Sequence, residues 1–219
     1  MTFFEHLQKS TAADRAEFVD SAIVADALSG NVTRDQYIEF LSRAFHHVKH
    51  TPSLLMACGA RLSDDREWLR AEVLQYAQEE IGHHEWILND IAAAGGDAAA
   101  VRASAPEFNT ELLVAYAYDT IMRRNPVGIF GMVYVLEGTS ISLATSVAQA
   151  VQNALRLPAN AFTYLTSHGA LDVEHMSHFE QLMNRLDRES DRAAVKHCAK
   201  VCFRLYANVL TGIESKAAA

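Results

Sequence analysis

Ionisable side chains are concentrated in one short stretch of the sequence, LTSHGALDVEHMSHFEQL, which spans residues 165–182. These eighteen residues include three histidines, one aspartate and two glutamates. His168, Asp172 and His175 follow one another at spacings of four and three, so they share one face if Gly169 does not break the helix. Helix bundles hold metal ions with such imidazole and carboxylate groups. The pattern predicts three metal ligands, and a solvated histidine-rich face is the alternative.

A second motif with metal-binding chemistry is EEIGHHEW, at residues 79–86. Glu80 and His83 stand three residues apart, which is the Glu-x-x-His arrangement of di-iron carboxylate bundles. Glu79 lies four residues before His83, and it is therefore the alternative to Glu80 as a ligand.

A third candidate is the glutamate of YVLEGTS, at residues 134–140. Glu137 lies inside an otherwise apolar segment, where an ionised carboxylate is costly unless it has a partner. Together the three motifs supply three carboxylates and three imidazoles. Nitrogen and oxygen donors without thiolate suit two iron ions, and manganese is the alternative metal.

The elements that must position these groups are helices throughout the sequence, since strand patterns are almost absent. The four prolines, at positions 52, 106, 126 and 158, each fall at a plausible helix boundary. Thr33 is expected to cap a helix with Gln36 as its capping-box partner, and Asn109 is expected to cap a later one. The expected helical regions are 1–28, 33–50, the stretch after Pro52, 64–93, 109–123, 127–155, the stretch after Pro158, and about 190–215. This pattern predicts a single all-α domain over residues 1–219, a bundle of about seven helices.

Composition and charge narrow the class of protein. The net charge is −8, which argues against nucleic acid as a partner. Cys58, Cys198 and Cys202 form no CxxC pair, so we expect reduced thiols in a cytoplasmic protein. The charged start of the sequence does not fit a signal peptide. The apolar run around VGIFGMVYVL stops at Glu137, so we expect no membrane span.

The combination of EEIGH, YVLEG and HGALDVEH resembles the heme-oxygenase-like di-iron oxidases, a superfamily that includes chlamydial death-associated-protein-like enzymes and some amine and fatty-acid oxidases. The resemblance covers about residues 35–185, and HxxxDxxH is its most specific part. It implies a seven-helix fold and a di-iron centre that activates O2. The residues that look like the six ligands are Glu80, His83, Glu137, His168, Asp172 and His175. Catalytic roles fall to the carboxylates, Glu80, Glu137 and Asp172.

The sequence departs from this superfamily on an earlier helix, where some members place a further carboxylate. Here the corresponding region offers His46, His47 and His50. His47 or His50 is able to reach a metal there, and histidines that line the helix with hydrogen bonds are the alternative.

The N-terminal stretch STAADRAEF, residues 10–18, is similar to the heme-oxygenase segment that carries the proximal histidine of the haem. Ser10 occupies the histidine position, and serine is not an axial haem ligand of the kind such enzymes use. His6 lies one turn earlier and is a poor substitute. The comparison favours the fold and predicts that no haem binds.

Other functions found on the same fold stay open from the sequence. Thiaminase-like aminohydrolases need a cysteine nucleophile, for which the three cysteines are candidates. Metal-free oxidases bind a quinone precursor among basic side chains, for which the candidates are Arg43, His46, His47, Lys49 and His50. A metal-storage or interaction bundle without enzymatic activity is the remaining alternative.

The expected ligands besides metal are O2 and a small organic substrate, such as an amine, an amino acid or a fatty acid. The apolar helix would supply the wall of the substrate pocket, through Ile129, Phe130, Val133, Tyr134 and Ser140. Arg43 or Lys49 would hold a substrate carboxylate, and a solvated surface role is the alternative for each. Packed helical domains of this kind often pair, so we expect a homodimer.

Overall fold

The computed structural model describes residues 1–211 and residue 213, and of residues 168–175 it describes the helical backbone alone. The α-helices are α1 Phe3–Ser10, α2 Ala12–Val19, α3 Ala22–Ser29, α4 Arg34–Val48, α5 Thr51–Arg61, α6 Glu67–Glu79, α7 His83–Ala93, α8 Ala98–Ala103, α9 Phe108–Arg123, α10 Phe130–Leu155, α11 Thr163–Arg185 and α12 Glu189–Thr211. Short 3-10 turns lie at Asp64–Arg66, Pro126–Ile129 and Ala159–Ala161. The predicted all-α fold is confirmed, and the described chain divides into more helical segments than the seven expected.

The boundaries of several helices follow from local sequence. Thr33 and Gln36 form the predicted capping box at the start of α4. The first helical region is three short helices, and it ends at Gly30, whose left-handed conformation suits glycine. The prediction that Asn109 caps α9 was wrong, because Glu107 is the N-cap and its carboxylate accepts from the backbone of Asn109 and Thr110.

The predicted continuous helix over 64–93 was also wrong, because the backbone breaks between α6 and α7. Gly82 has a φ of 94°, in the left-handed region that side chains with a Cβ adopt only with strain. The chain therefore leaves α6 after Glu79 and restarts as α7 at His83. This break lies within the EEIGH motif, so Glu80 and His83 belong to different elements.

The central element is α10, which packs against α3, α11 and α12. At Gly131 a Cβ would lie 2.5 Å from the backbone of Val195 and Ala199, so glycine is required for the close approach of α12. The segment Pro126–Leu155 is long and apolar enough to cross a membrane, but 67% of its most apolar window is buried within the described protein. Such burial is typical of the core helix of a bundle.

The hydrophobic core consists of two clusters that α10 joins. The first half of α10, up to Val135, packs with α5, α6, α12 and the end of α11. The second half, from Ala144, packs with α4, α7 and the start of α11. Glu137 lies on α10 between these two halves, at the level where the clusters meet.

Candidate metal and substrate site

Glu80 and His83 meet at the break between α6 and α7. Both side chains are buried, and Oε2 of Glu80 lies 3.2 Å from Nδ1 of His83. The imidazole also stacks on the indole of Trp86 at a centroid distance of 4.2 Å, which fixes the ring plane. The two residues therefore converge although the helix between them is broken.

The separation of these two atoms suits a shared cation. Two adjacent donor atoms on one ion, with bonds of about 2.1 Å, lie roughly 3.0–3.4 Å apart. Glu79, the alternative ligand, is exposed and accepts a hydrogen bond from Gln75 at 3.0 Å. Burial thus favours Glu80 over Glu79 as the residue that faces the interior.

Glu137 and Glu80 line the same cavity of about 190 Å³. Glu137 is only 7% exposed, so burying its charge requires compensation. Tyr76, one turn before Glu80, also lines this cavity, as does His47 of α4. Most of the remaining wall is aliphatic or aromatic, and an apolar cavity with a few converging polar groups is the usual form of a small-molecule site.

The other three predicted ligands, His168, Asp172 and His175, have side chains that lie outside the described residues. The backbone of α11 is helical through this segment, so Gly169 does not break the helix. The described residues before and after this segment show the position of α11. Leu165 lines the cavity, and the methyl group of Met176 lies 3.8 Å from the position of a Cβ on Gly138.

The start of α11 is held by Asp90 of α7. Its carboxylate accepts hydrogen bonds from the backbone nitrogens of Thr163 at 3.0 Å and Tyr164 at 2.8 Å, and a short one from the Thr163 hydroxyl. α7 therefore begins with the candidate ligand His83 and also carries Asp90. Asp90 caps α11, the helix with the three candidate ligands His168, Asp172 and His175.

Within the described side chains, no three histidines, cysteines, aspartates or glutamates lie close enough together to hold an ion. The described part of the candidate site is therefore the pair Glu80 and His83, with Glu137 on the same cavity wall.

A second cavity of about 40 Å³ shares Glu137 and Tyr76 with the first. Its other polar lining residues are Glu72, Gln75, Glu79 and His178. His178, the remaining histidine of the HGALDVEHMSH stretch, is exposed and lies 2.7 Å from a carboxylate oxygen of Glu72. The smaller cavity is thus lined both by ionisable groups at the surface and by the buried Glu137.

The surroundings of His46, His47 and His50 differ from one another. Nε2 of His46 lies 2.9 Å from the hydroxyl of Ser104, and its Nδ1 lies 3.1 Å from Nζ of Lys49. His50 pairs with the hydroxyl of Tyr118 at 3.3 Å. Burial, followed by the charge of Lys49, lowers the pKa of both imidazoles. Of the three, only His47 lines the main cavity.

Neither cation proposed for a substrate carboxylate lines the cavity. Arg43 is buried in an ion pair with Glu39 and donates to the backbone oxygen of Val209 at 2.6 Å. Lys49 lies over the ring of Phe45, 5.1 Å from its centroid. Arg43 thus fastens α12 to α4.

The predicted pocket wall is correct for Ile129, Val133 and Ser140. Phe130 faces the smaller cavity instead. Tyr134 lines neither, since its ring packs on Phe4 and Phe179 in the core. Tyr76 was missed from the sequence because an aromatic residue at helical spacing looks like ordinary core packing.

The residues considered for haem ligation and for a cysteine nucleophile do not line the cavity. His6 is exposed, and the Ser10 hydroxyl donates to the backbone oxygen of Leu7 at 3.0 Å. The three cysteines are buried and outside the described cavity lining. Burial raises the pKa of Cys58 to about 12, so its thiol stays protonated and weakly nucleophilic at neutral pH.

Comparison with known proteins identifies the family and the fold. The family model described as iron-containing redox enzyme matches residues 38–207. None of the curated proteins compared with the chain matches it.

Several solved structures share the fold. A heme-oxygenase-like domain of unknown function from Shewanella denitrificans is 24% identical, with a TM-score of 0.87 over 97% of this chain and 92% of that one. A TenA homologue from P. horikoshii is 8% identical, with a TM-score of 0.80 over 97% and 98% of the two chains. Heme oxygenase-1 from the cyanobacterium Synechocystis, in complex with heme, is 14% identical, with a TM-score of 0.75 over 98% and 93%. The predicted heme-oxygenase-like fold is confirmed.

Proposed function

Because the chain belongs to the iron-containing redox enzyme family, we propose that it is a non-haem di-iron oxidase that uses O2 to oxidise a small organic substrate. The observation that carries this proposal is the position of two buried carboxylates, Glu80 and Glu137, on the wall of one apolar cavity, with His83 beside the first. Buried carboxylates that converge on one cavity beside an imidazole are suited to hold metal ions.

The proposed ligands are Glu80, His83, Glu137, His168, Asp172 and His175. Among the residues that the structure describes, Glu80 directly follows α6, His83 begins α7 and Glu137 lies on α10. The last three lie on α11 at spacings that put them on one helical face, and α11 packs along α10. Iron bound there would supply the electrons and the open coordination positions that O2 activation requires.

The protein's own groups would prepare this chemistry. Trp86 holds the plane of His83, and Asp90 fixes where α11 starts. The apolar wall excludes water from the substrate, which strengthens every electrostatic interaction inside. The three cysteines are buried, and burial raises the pKa of Cys58 to about 12, which argues against the aminohydrolase chemistry found on related folds.

Two pairs of adjacent residues give matched variants for the test. Glu80→Gln removes a buried carboxylate, and Glu79→Gln removes its exposed neighbour. His83→Ala removes the imidazole next to Glu80, and His84→Ala removes one that pairs with Glu85 instead. We expect the wild type to take up about two ferrous ions per chain under anaerobic conditions.

The buried members of each pair should bind less than half of that iron, and the two neighbours should bind the wild-type amount. Oxygen consumption by the iron-loaded proteins should follow the same order. Equal iron uptake by Glu80→Gln and Glu79→Gln, or by His83→Ala and His84→Ala, would contradict the proposed ligands.

A further inference from the structure

The two cavities differ in how they meet the surface. Three residues that line the smaller cavity are exposed, namely Gln75, Glu79 and His178. The described lining of the main cavity contains no exposed residue, and the half-buried side chains that α3 contributes to it, Ile23 and Ala27, are apolar. A hydrated cation that entered past them would lose water against aliphatic groups, which is costly. The smaller cavity is therefore the more favourable entrance for a cation.

The outer part of the smaller cavity carries groups that attract cations. Glu72, Tyr76 and Glu79 line it from one face of α6, because they follow one another at spacings of four and three. His178 lines it from α11, and its Nε2 lies 2.7 Å from Oε2 of Glu72. No lysine or arginine belongs to the described lining, and Arg185 lies beside it with Nη1 3.5 Å from Oε1 of Glu72. Glu72, Glu79 and His178 are called the mouth below.

Carboxylates continue from the mouth to the candidate metal centre. Glu137 and Tyr76 line both cavities. Glu79 lines the smaller cavity and is exposed, and the next residue, Glu80, lines the main cavity and is buried beside His83. An ion that moves inward therefore exchanges one carboxylate for the next, and it keeps oxygen ligands at each step.

From this arrangement we propose that the smaller cavity admits divalent metal ions to the candidate metal centre. The residues of the mouth attract the ion at the surface, Glu137 binds it where the cavities meet, and Glu80 and His83 receive it. This inference rests on the proposed function for the destination of the ion. The mouth adds a transit role for residues that are not among the six proposed ligands.

The mouth is suited to pass an ion on and not to retain it. Its described residues do not form a group of three that could hold a metal ion. Glu72 and His178 in contact supply only two donors, so a divalent ion keeps several of its waters there and stays exchangeable. The buried Glu137, 7% exposed, offers a less hydrated position further in.

A transit residue and a ligand have different kinetic signatures. A residue that only lines the route changes the rates of entry and release by the same factor, because both directions use one path, and it leaves the affinity unchanged. A ligand of the bound ion changes the affinity. Glu79→Gln should therefore slow loading and leave the final amount of bound iron at the wild-type value.

The first experiment removes the charge of the mouth. Cobalt(II) is the probe, since it binds the same nitrogen and oxygen donors as ferrous iron and gives a visible absorption band when bound. Stopped-flow mixing with the metal-free protein at low ionic strength gives the entry rate, and excess EDTA gives the release rate. The double variant Glu72→Gln with Glu79→Gln should slow entry at least about tenfold, because a cleft of one charge raises the encounter rate of its counter-ion.

The matched control removes two exposed glutamates that line neither cavity, in the double variant Glu111→Gln with Glu180→Gln. It changes the net charge of the protein equally, so it should keep the entry rate of the wild type within about twofold. Equal entry rates in the two double variants would overturn the proposal. A mouth variant that loses affinity through faster release would also overturn it, because Glu72 or Glu79 would then be a ligand of the bound ion.

The second experiment obstructs the mouth by size. Gln75→Trp places a large side chain on the lining of a cavity of about 40 Å³, and Gln78→Trp places the same side chain on an exposed position of α6 that lines neither cavity. Gln75→Trp should slow entry and release several-fold by the same factor, and Gln78→Trp should change neither. Equal rates in these two variants would overturn the route. Should Gln75→Trp fail to fold, the charge variants decide alone.

The route and the metal centre fail separately in these measurements. A wild type that binds two cobalt ions at rates unaffected by the mouth variants would refute the route and keep the centre. A wild type that binds fewer than two ions, but loads more slowly in the mouth variants, would refute the di-iron stoichiometry and keep the route. A wild type that binds no cobalt and no ferrous iron would overturn both.

Discussion

Two sets of buried ionisable groups differ in where their polar atoms lie. Asp90 and His46 are buried among helices, and each contacts partners that hold one element against another. The exposed fractions of Glu80 and Glu137 are within a few per cent of that of His46, but the side chains of the two glutamates line a cavity. The first set are called the anchoring groups below, and the second set the cavity carboxylates.

This difference shows that burial of a charged residue does not by itself indicate a functional site. Asp90 caps α11 with three hydrogen bonds, which offsets the cost of its desolvation. The cavity carboxylates face a space that is large enough for a ligand. Substitution of an anchoring group should therefore change stability, and substitution of a cavity carboxylate should change iron binding.

The largest effect is expected for Glu137→Gln. The amide keeps the size of the side chain but loses the charge that balances iron, so we expect iron affinity to fall at least about a hundredfold, more than for a residue that only supports a ligand. The iron-free protein should keep or raise its melting temperature, because a buried charge has been removed. Anaerobic iron titration and thermal unfolding measure the two effects.

A melting temperature that falls while iron affinity stays unchanged would place Glu137 among the anchoring groups. The assignment of α10 as the wall of the reaction centre would then be lost with it.

The second prediction concerns the anchoring carboxylate. Asp90→Ala leaves two backbone N–H groups of α11 without their acceptor, so we expect the iron-free protein to lose about 1–3 kcal/mol of unfolding free energy. Asp90→Asn keeps one acceptor oxygen and should lose less. Urea denaturation monitored by circular dichroism gives the values, and an unchanged midpoint for Asp90→Ala would show that α11 starts without this cap.

Much of the fold follows from local sequence patterns. The apolar run of α10, the capping box at Thr33 and the scarcity of strand patterns predict a helix bundle because each depends on residues close in sequence. The burial of Glu137 was predictable for the same reason, since its neighbours on α10 are apolar.

Features that depend on distant residues were not predictable. Asp90 caps a helix that starts 73 residues later, so no local pattern reveals it. The break at Gly82 was missed, because a helix was predicted over the whole of residues 64–93 although glycine is typical of helix ends. The place of Tyr76 on the cavity wall likewise depends on residues far away in the sequence, since α4 and α10 form other parts of the same wall.

The third prediction concerns the pH dependence of stability that arises from His46, one of the anchoring groups, and from His50. The pKa of His46 and that of His50 lie below the ordinary value, mainly through burial and then through Lys49. The unfolded chain then binds more protons than the folded one, so stability is lost as pH falls below about 6.5. We expect the melting temperature of the iron-free protein to decline below that pH, and to decline less in His46→Gln.

The control for this effect is His178→Gln, because His178 is exposed and pairs with Glu72 on the surface. An equal change in the pH profile of His46→Gln and His178→Gln would show that the decline does not arise from His46.

The smallest effect is expected from haem, for which we predict no specific complex. The sequence resemblance to heme oxygenase aligns Ser10 with the proximal histidine. The Ser10 hydroxyl donates to the backbone oxygen of Leu7 within α1, and His6 is exposed. Among the described side chains, His47 is the imidazole that lines the cavity, and its ring makes a T-shaped contact with that of Tyr206 at a centroid distance of 5.9 Å. A titration with hemin should give no sharp Soret band of an axially ligated species, in the wild type or in His47→Ala.

A tight one-to-one complex whose Soret band disappears in His47→Ala would contradict this prediction. His47 would then be a cofactor ligand, and the cavity would hold a macrocycle where we propose two metal ions. A band that disappears in His6→Ala instead would assign the haem to α1, and the cavity carboxylates would keep their proposed role.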